Sequence, residues 1–465
     1  MKKSLQGTFL IILFIAAMAF VTGCKKGETP VAPIPEPVIN PVFSELTTSS
    51  VVVGGRIGTS NFIKEVGICY SSSNQKPTLS DTFVKDTLAA SWITQITGLA
   101  ANTTYYIRAY AISDGGTGYS SVTTFKTNTT AAVPRGTVTT FAGSPTGRAG
   151  FVNSTIGTSA LFDAPNAIAF NPVSNLLYVG DSFNNSIRTI SLTGYTNTTN
   201  DAVIGLTNGA ISQAKFYGVK GFAFDAQGNV YFADLGNNVI RKMTAAGDVS
   251  TLAGTSIPGY KNGEGSVVQF YNPSATVVDA SGNLFVADRS NNLIRKITSA
   301  GVTSTFAGYV APTGYVQTNV PGYNDANGTS AYFNYPVAMT KDAADNIYVA
   351  DYKNKAIRKI TPKGDVSTYA GGIYFSTLIG NPTGLVMDAQ GNLFITETGG
   401  RILEITKDMV LYVIAGAANT TGYVNGVGAA ARFNSPQSVT IDTQGNLYVA
   451  DFNNNAIRKV TVAVQ

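Results

Sequence analysis

Gly282-Asn283-Leu284-Phe285-Val286-Ala287-Asp288, followed after Arg289-Ser290 by Asn291-Asn292-Leu293-Ile294-Arg295-Lys296-Ile297, decides the fold of this 465-residue chain. An apolar run ends in Asp, a polar turn with Asn follows, and a second apolar run carries Arg. The statement returns as Gly445-Asn446-Leu447-Tyr448-Val449-Ala450-Asp451 with Asn454-Asn455-Ala456-Ile457-Arg458-Lys459-Val460. Six copies occur, with turn-flanking acids Asp181, Asp234, Asp288, Asp351, Glu397 and Asp451. Repetition at a period of about 50 residues, rich in strand formers, predicts one small sheet per copy; such sheets cannot bury both faces alone and stack into a ring.

Each copy continues into a further strand ending in Ala-Gly, at 249–254, 303–308, 366–371 and 411–416. In the first copy this element is degraded and is read at Asp201-Ala202-Val203-Ile204. The sixth copy lacks it, and a matching orphan stands before the first copy at 138–143. If the orphan completes the last sheet, the two ends of the ring share one ladder, and opening it would leave backbone groups unpaired. On these motifs residues 137–465 resemble a six-bladed β-propeller of the NHL-repeat type, closed by an N-terminal strand. The fifth copy departs: it reads Glu397-Thr398-Gly399-Gly400-Arg401-Ile402-Leu403, one residue short and with Leu403 where Arg is expected, which predicts an irregular blade.

Lys2 and Lys3 precede an apolar run at 9–21 that suits an export signal and is too short to span a bilayer. Val21-Thr22-Gly23-Cys24 then resembles a bacterial lipoprotein box. The resemblance implies removal of residues 1–23 and acylation of Cys24, so that lipid chains hold the protein to the membrane without a transmembrane helix. Residues 24–37, with Pro30, Pro33, Pro35 and Pro37, read as a semi-extended tether. Short alternating strands fill 38–127, a sandwich's worth of chain. Within them Leu99-Ala100-Ala101-Asn102-Thr103-Thr104-Tyr105 resembles the fibronectin type III signature, which makes Tyr105 the corner tyrosine. Residues 128–136 read as a linker. The fold class is therefore all-β, a fibronectin type III-like or Ig-like sandwich followed by the propeller.

Apolar residues make up 44% and charged residues 13% of the chain, with 48 Gly and 23 Tyr, the balance of a turn-rich β protein with a full core. Once Cys24 is acylated, Cys69 is the remaining thiol; it lies in an apolar strand and is read as buried and inert, with no intrachain disulfide. There is no histidine. Ser-His-Asp and Cys-His arrangements and His-held zinc are thereby excluded, including the zinc chemistry of lyases built on NHL-type propellers. A calcium-dependent lactonase of the related six-bladed class would instead need acids and amides converging on the channel.

The innermost strands show small residues at one register, Ala167, Gly221, Ala275, Ala338, Gly384 and Ser438, as a crowded axis requires. One position nearer the rim stand Asn166, Lys220, Ser274, Val337, Thr383 and Gln437, a polar set without an acid pair. No catalytic residue, metal ligand or cofactor is assigned. The repeated Arg is expected to pair with the Asp of its own copy across the hairpin rather than to bind nucleic acid. Removing the two signal lysines lowers the formal charge from +5 to +3, and an exported protein meets no cytosolic RNA.

The loops feeding the inner strands carry the candidate ligand contacts: Tyr260, Asn262 and Tyr271; Tyr323, Asn324 and Tyr335; Tyr423 and Asn425. Tyr offers a flat apolar face with a polar tip, and Asn a paired donor and acceptor, suited to sugars or extended peptides. The expectation is a lipid-anchored binding or scaffolding protein of the bacterial cell envelope, an outer-membrane lipoprotein facing the surface or the periplasm, engaging a protein or glycan and not an enzyme. The alternative is a histidine-independent, cation-assisted hydrolase or lyase.

Overall fold

The period-two runs form strands throughout. The computed structural model describes residues 33–40, 42–58, 62–130, 135–311 and 320–463, and among these it holds strands and single-turn 3-10 segments but no α-helix. The export segment, Cys24 and residues 24–32 of the tether lie outside the described residues.

Six antiparallel sheets succeed one another from Gly136 to Val462. Their inner strands, Pro165–Asn171, Val219–Phe224, Pro273–Val278, Pro336–Lys341, Pro382–Met387 and Pro436–Ile441, neighbour one another in a closed circle. The third sheet is typical, running outward through Pro273–Val278, Leu284–Asp288, Leu293–Ile297 and Val302–Ala307. Alternation gives each strand two apolar faces, because both sides meet a neighbouring sheet. Ala275, Phe285 and Ala287 of the third sheet thus pack with Met339, Val349 and Ile360 of the fourth. Each large side chain so buried contributes about 1.5–3 kcal/mol.

The ring is closed by hydrogen bonds. Strand Gly136–Ala142 lies antiparallel to Ala456–Val462, from Gly136 opposite Val462 to Ala142 opposite Ile457, with a bulge after Thr140. In the first sheet the outer strand is Thr196–Thr198 and not 201–204. Gly194, at φ +94°, reverses the chain so early that pairing is complete before Asp201. Ile204 instead bridges Phe216.

Residues 37–126 form two facing sheets. One holds Pro37–Ile39, Ser50–Ile57 and Ser91–Thr97, the other Thr82–Asp86, Ile63–Ser71, Thr104–Ser113, Gly116–Tyr119 and Thr123–Lys126. Trp92, Val53, Ile68, Ile107 and Tyr105 lie in the shared core. The Tyr105 hydroxyl accepts the Ala100 amide at 2.9 Å. Cys69 is buried, and burial pushes its thiol up to about 11.

This small domain is joined to the ring. Phe43–Ser44 pairs in parallel with Val410 and Leu411 of the fifth sheet's outer strand, Val410–Ala415, and Val410 belongs to the small domain's core. The segment leading into the ring is pinned as well: Asn128 Nδ2 donates to Leu46 O at 2.9 Å. Arg135 pairs with Glu404 and stacks on Tyr412 at 3.7 Å. In the second, third, fourth and sixth sheets the outer edge is covered by Gly209–Ala210, Gly263–Glu264, Ala326–Asn327 and Gly426–Val427 from each sheet's own incoming loop. The fifth sheet's edge takes Phe43–Ser44 in that place.

Candidate functional site

One buried cluster per sheet builds the loop face. In the third sheet Asp288 Oδ1 accepts the Tyr271 amide at 2.8 Å, and Oδ2 accepts Asn291 Nδ2 at 2.9 Å and Arg295 Nη1 at 2.8 Å. Arg295 Nη2 reaches Lys261 O at 3.0 Å and Asn262 Oδ1 at 2.7 Å. Asp–Arg pairs recur at 2.9 Å for Asp181–Arg188 and Asp234–Arg241, 3.0 Å for Asp351–Arg358 and 2.8 Å for Asp451–Arg458, with all ten side chains wholly buried. Burial pushes the Asp234 carboxyl up to about 6, against Asn237, the Tyr217 amide and Arg241. Asp288 is raised by burial in the same way. The second turn Asn is left-handed, φ +55° at Asn238 and +56° at Asn292, and its Oδ1 accepts the amide of Asn272 or Tyr335 in the next sheet. The fifth sheet keeps the ion pair by other means: Glu397 binds Arg401 at 2.6 and 3.0 Å, while Leu403 is buried in the core.

Most of the sequence-derived candidates belong to this scaffold. Tyr260, Tyr323 and Tyr423 bond through their hydroxyls to Thr305, Thr368 and Thr140 at 2.8, 2.9 and 3.1 Å. Their rings cover Arg295, Arg358 and Arg458 at 4.9, 5.1 and 4.7 Å. Asn262 and Asn425 accept from Arg295 and Arg458, and the Asn324 carbonyl accepts from Arg358. These residues sit in three different sheets and do not converge. Tyr271 is exposed, and Tyr335 has Arg289 at 4.7 Å and Lys353 at 4.8 Å from its ring centre.

An axial cavity of about 230 Å³ opens among the inner strands, lined by Asn166, Lys220, Ser274, Val337, Thr383 and Gln437. Five of these six residues are bulges, skipped by the ladder between Pro and the second residue after it. Bulges re-aim side chains, here around the axis. In the second sheet the bulge moves to Gly221, and Lys220 pairs regularly with Ala233. Gly221 is at φ +53°, and a Cβ there would stand 2.5 Å from Ala275 Cα, so only glycine fits.

Burial and, secondarily, the Arg289 charge bring the Lys220 ammonium down to about 7. Asn166 Oδ1 and Arg289 Nε are buried without a hydrogen-bond partner. Sequence reading placed Lys220 in the polar set and passed over Arg289. Its signal was the variable position after the turn acid, Ser182, Leu235, Arg289, Tyr352, Thr398 and Phe452, in an otherwise fixed turn.

A larger cleft opens between the fifth and sixth sheets, with Asp388, Asp442 and Glu404 in its wall. Those acids serve the fold. Asp388 and Asp442 cap their own turns through Asn392 and Asn446, and Glu404 pairs with Arg135. Among the described residues no group of three or more acids, Cys or His converges as a metal site would need.

The NHL repeat model matches residues 270–297 and 433–460. Suppressor of quenching 1 of Arabidopsis thaliana is 26% identical over 286 residues, covering 55% of this chain and 26% of that protein. NHL repeat-containing protein 3 of Homo sapiens is 23% identical over 255 residues, covering 53% of this chain and 60% of that protein. The chain thus spans less than two thirds of either relative. Among solved structures, a protein of unknown function from Bacteroides thetaiotaomicron is 19% identical, with 94% of this chain and 99% of that one covered at a TM-score of 0.53. The fold is common to both. This chain is an all-β protein that carries NHL repeats.

Proposed function

We propose that this chain is a lipid-anchored binding protein of the bacterial cell envelope. In this reading Cys24 carries the anchor, a fibronectin type III-like domain follows, and a six-bladed NHL-type propeller presents its loop face to a protein or glycan. The supporting observation is the axial cavity, whose wall holds the Lys220 ammonium and the Asn166 side chain, the latter with a buried oxygen that has no hydrogen-bond partner. Within the candidate set, Tyr271 and Tyr335 are the contacts we assign to ligand; Tyr260, Tyr323, Tyr423, Asn262 and Asn425 hold the face in shape. A cation-assisted hydrolase would want carboxylates where the wall has an ammonium.

Glycan and peptide arrays probed with the full chain in detergent, beside Tyr271→Ala/Tyr335→Ala, test the binding reading. Specific hits lost in the double variant support it, and hits that the variant retains reject the loop face. For the anchor, Cys24→Ser should move the protein from the membrane to the soluble fraction.

A further inference from the structure

We propose that the axial cavity is a subsite for an acidic, hydroxyl-bearing ligand group, a sugar acid of the uronate class, held by Lys220 and Asn166. The inference rests on the binding reading above and names the ligand chemistry.

Lys220 stands in the cavity wall without a counter-ion. Neither Lys220 nor Arg289 has an ion-pair partner among the described residues, although Arg289 is close enough to Lys220 to depress its basicity. A half-buried charge without a partner is costly, and a ligand carboxylate beside Lys220 would remove that cost. In the same wall Asn166 Oδ1 is a buried acceptor lacking a donor. Sulfate would answer the Lys220 charge and leave Asn166 unpaired, whereas a neutral sugar's hydroxyl could donate to Asn166 and would leave the Lys220 charge unanswered. A sugar acid supplies both a carboxylate and a hydroxyl, so no buried polar group is left wanting.

The site is built into the backbone. Five inner strands begin with Pro, whereas the second begins Val219-Lys220 and shifts its bulge onto a glycine that no other residue can replace. That shift alters the placement of Lys220 relative to the other five ring members. The cavity, about 230 Å³, holds roughly eight waters at about 30 Å³ each, room for one sugar-sized group.

Titration calorimetry of the full chain in detergent with glucuronate and galacturonate, against glucose, galactose and sodium sulfate, tests the proposal. Uronates should bind at least about tenfold more tightly than the neutral sugars and than sulfate. Lys220→Met should lose at least about tenfold in uronate affinity and raise Tm, since it removes an unpaired half-buried charge. A residue with a merely structural role would lower Tm. Equal affinity for uronates and neutral sugars, or uronate binding unchanged in Lys220→Met, overturns the proposal. Sulfate binding as tightly as uronates overturns the sugar-acid assignment. Array ligands sensitive to Tyr271 and Tyr335 but indifferent to Lys220→Met would sink this inference alone; the absence of any loop-face ligand would sink the binding reading.

Discussion

The third and fifth sheets solve the same problem differently. The third ties its turn with Asp288 and Arg295, seven residues apart across the hairpin; the fifth uses the longer Glu397 and the nearer Arg401 and fills the vacated space with Leu403. Their edges differ too. The third covers its outer strand with its own loop at Gly263–Glu264, whereas the fifth is covered by Phe43–Ser44 of the small domain. An irregular repeat here is a docking position: what its sequence omits, a distant part of the chain supplies. The second sheet departs in the same spirit, trading Pro and its bulge for Lys220 and Gly221 at the axis.

The comparison breaks most visibly at the ion pairs. Arg295→Ala should cost about 3–5 kcal/mol in urea unfolding, because it leaves the Asp288 carboxylate buried without its cation. A loss below about 1 kcal/mol would mean that the hairpin does not depend on the pair. Phe43→Ala, at a side chain 1% exposed, should cost about 3–5 kcal/mol and act on the junction, so that calorimetry resolves separate transitions for the small domain and the ring. A single unsplit transition would deny the junction its role.

The second sheet is tested by pH. Lys220 has its basicity lowered to about 7, and an anion prefers the protonated form; uronate affinity should be flat below pH 7 and weaken by up to about tenfold per unit above it. The charged group bearing on Lys220 is Arg289; its ring neighbours Asn166, Ser274, Thr383 and Gln437 are neutral, and Lys341, the other cation of the cavity wall, is paired with Asp345 at 2.6 Å. Affinity that rises with pH would contradict this assignment. Smallest is Arg401→Gln, whose side chain is 15% exposed: about 1–2 kcal/mol in the same urea assay, less than Arg295→Ala. Equal losses would erase the distinction between the two sheets.

Much of this was legible in the residues. Strand alternation, the Asp and Arg at either side of each turn, and the orphan strand are local patterns, and pairing follows from them. What the patterns do not carry is convergence through closure. Lys220 and Asn166 belong to different repeats and share one cavity only because the ring brings inner strands to one axis. The parallel pairing of Phe43–Ser44 with Val410 and Leu411 is only two residues long, too short to show a side-chain period. The loop tyrosines were weighed as ligand contacts because their chemistry suits one; their partners, Thr305 and Thr368, lie 45 residues further on, beyond any local signal.

The parallel junction also sets the path of force through the molecule. A pull on the amino end first loads Pro37–Ile39 against Ser50–Ile57, and then the two-residue seam at the fifth sheet. Only after the small domain gives way does tension arrive at Gly136–Ala142, the seam that keeps the circle shut. The junction is a strain relief: the weaker seam yields first and spares the stronger.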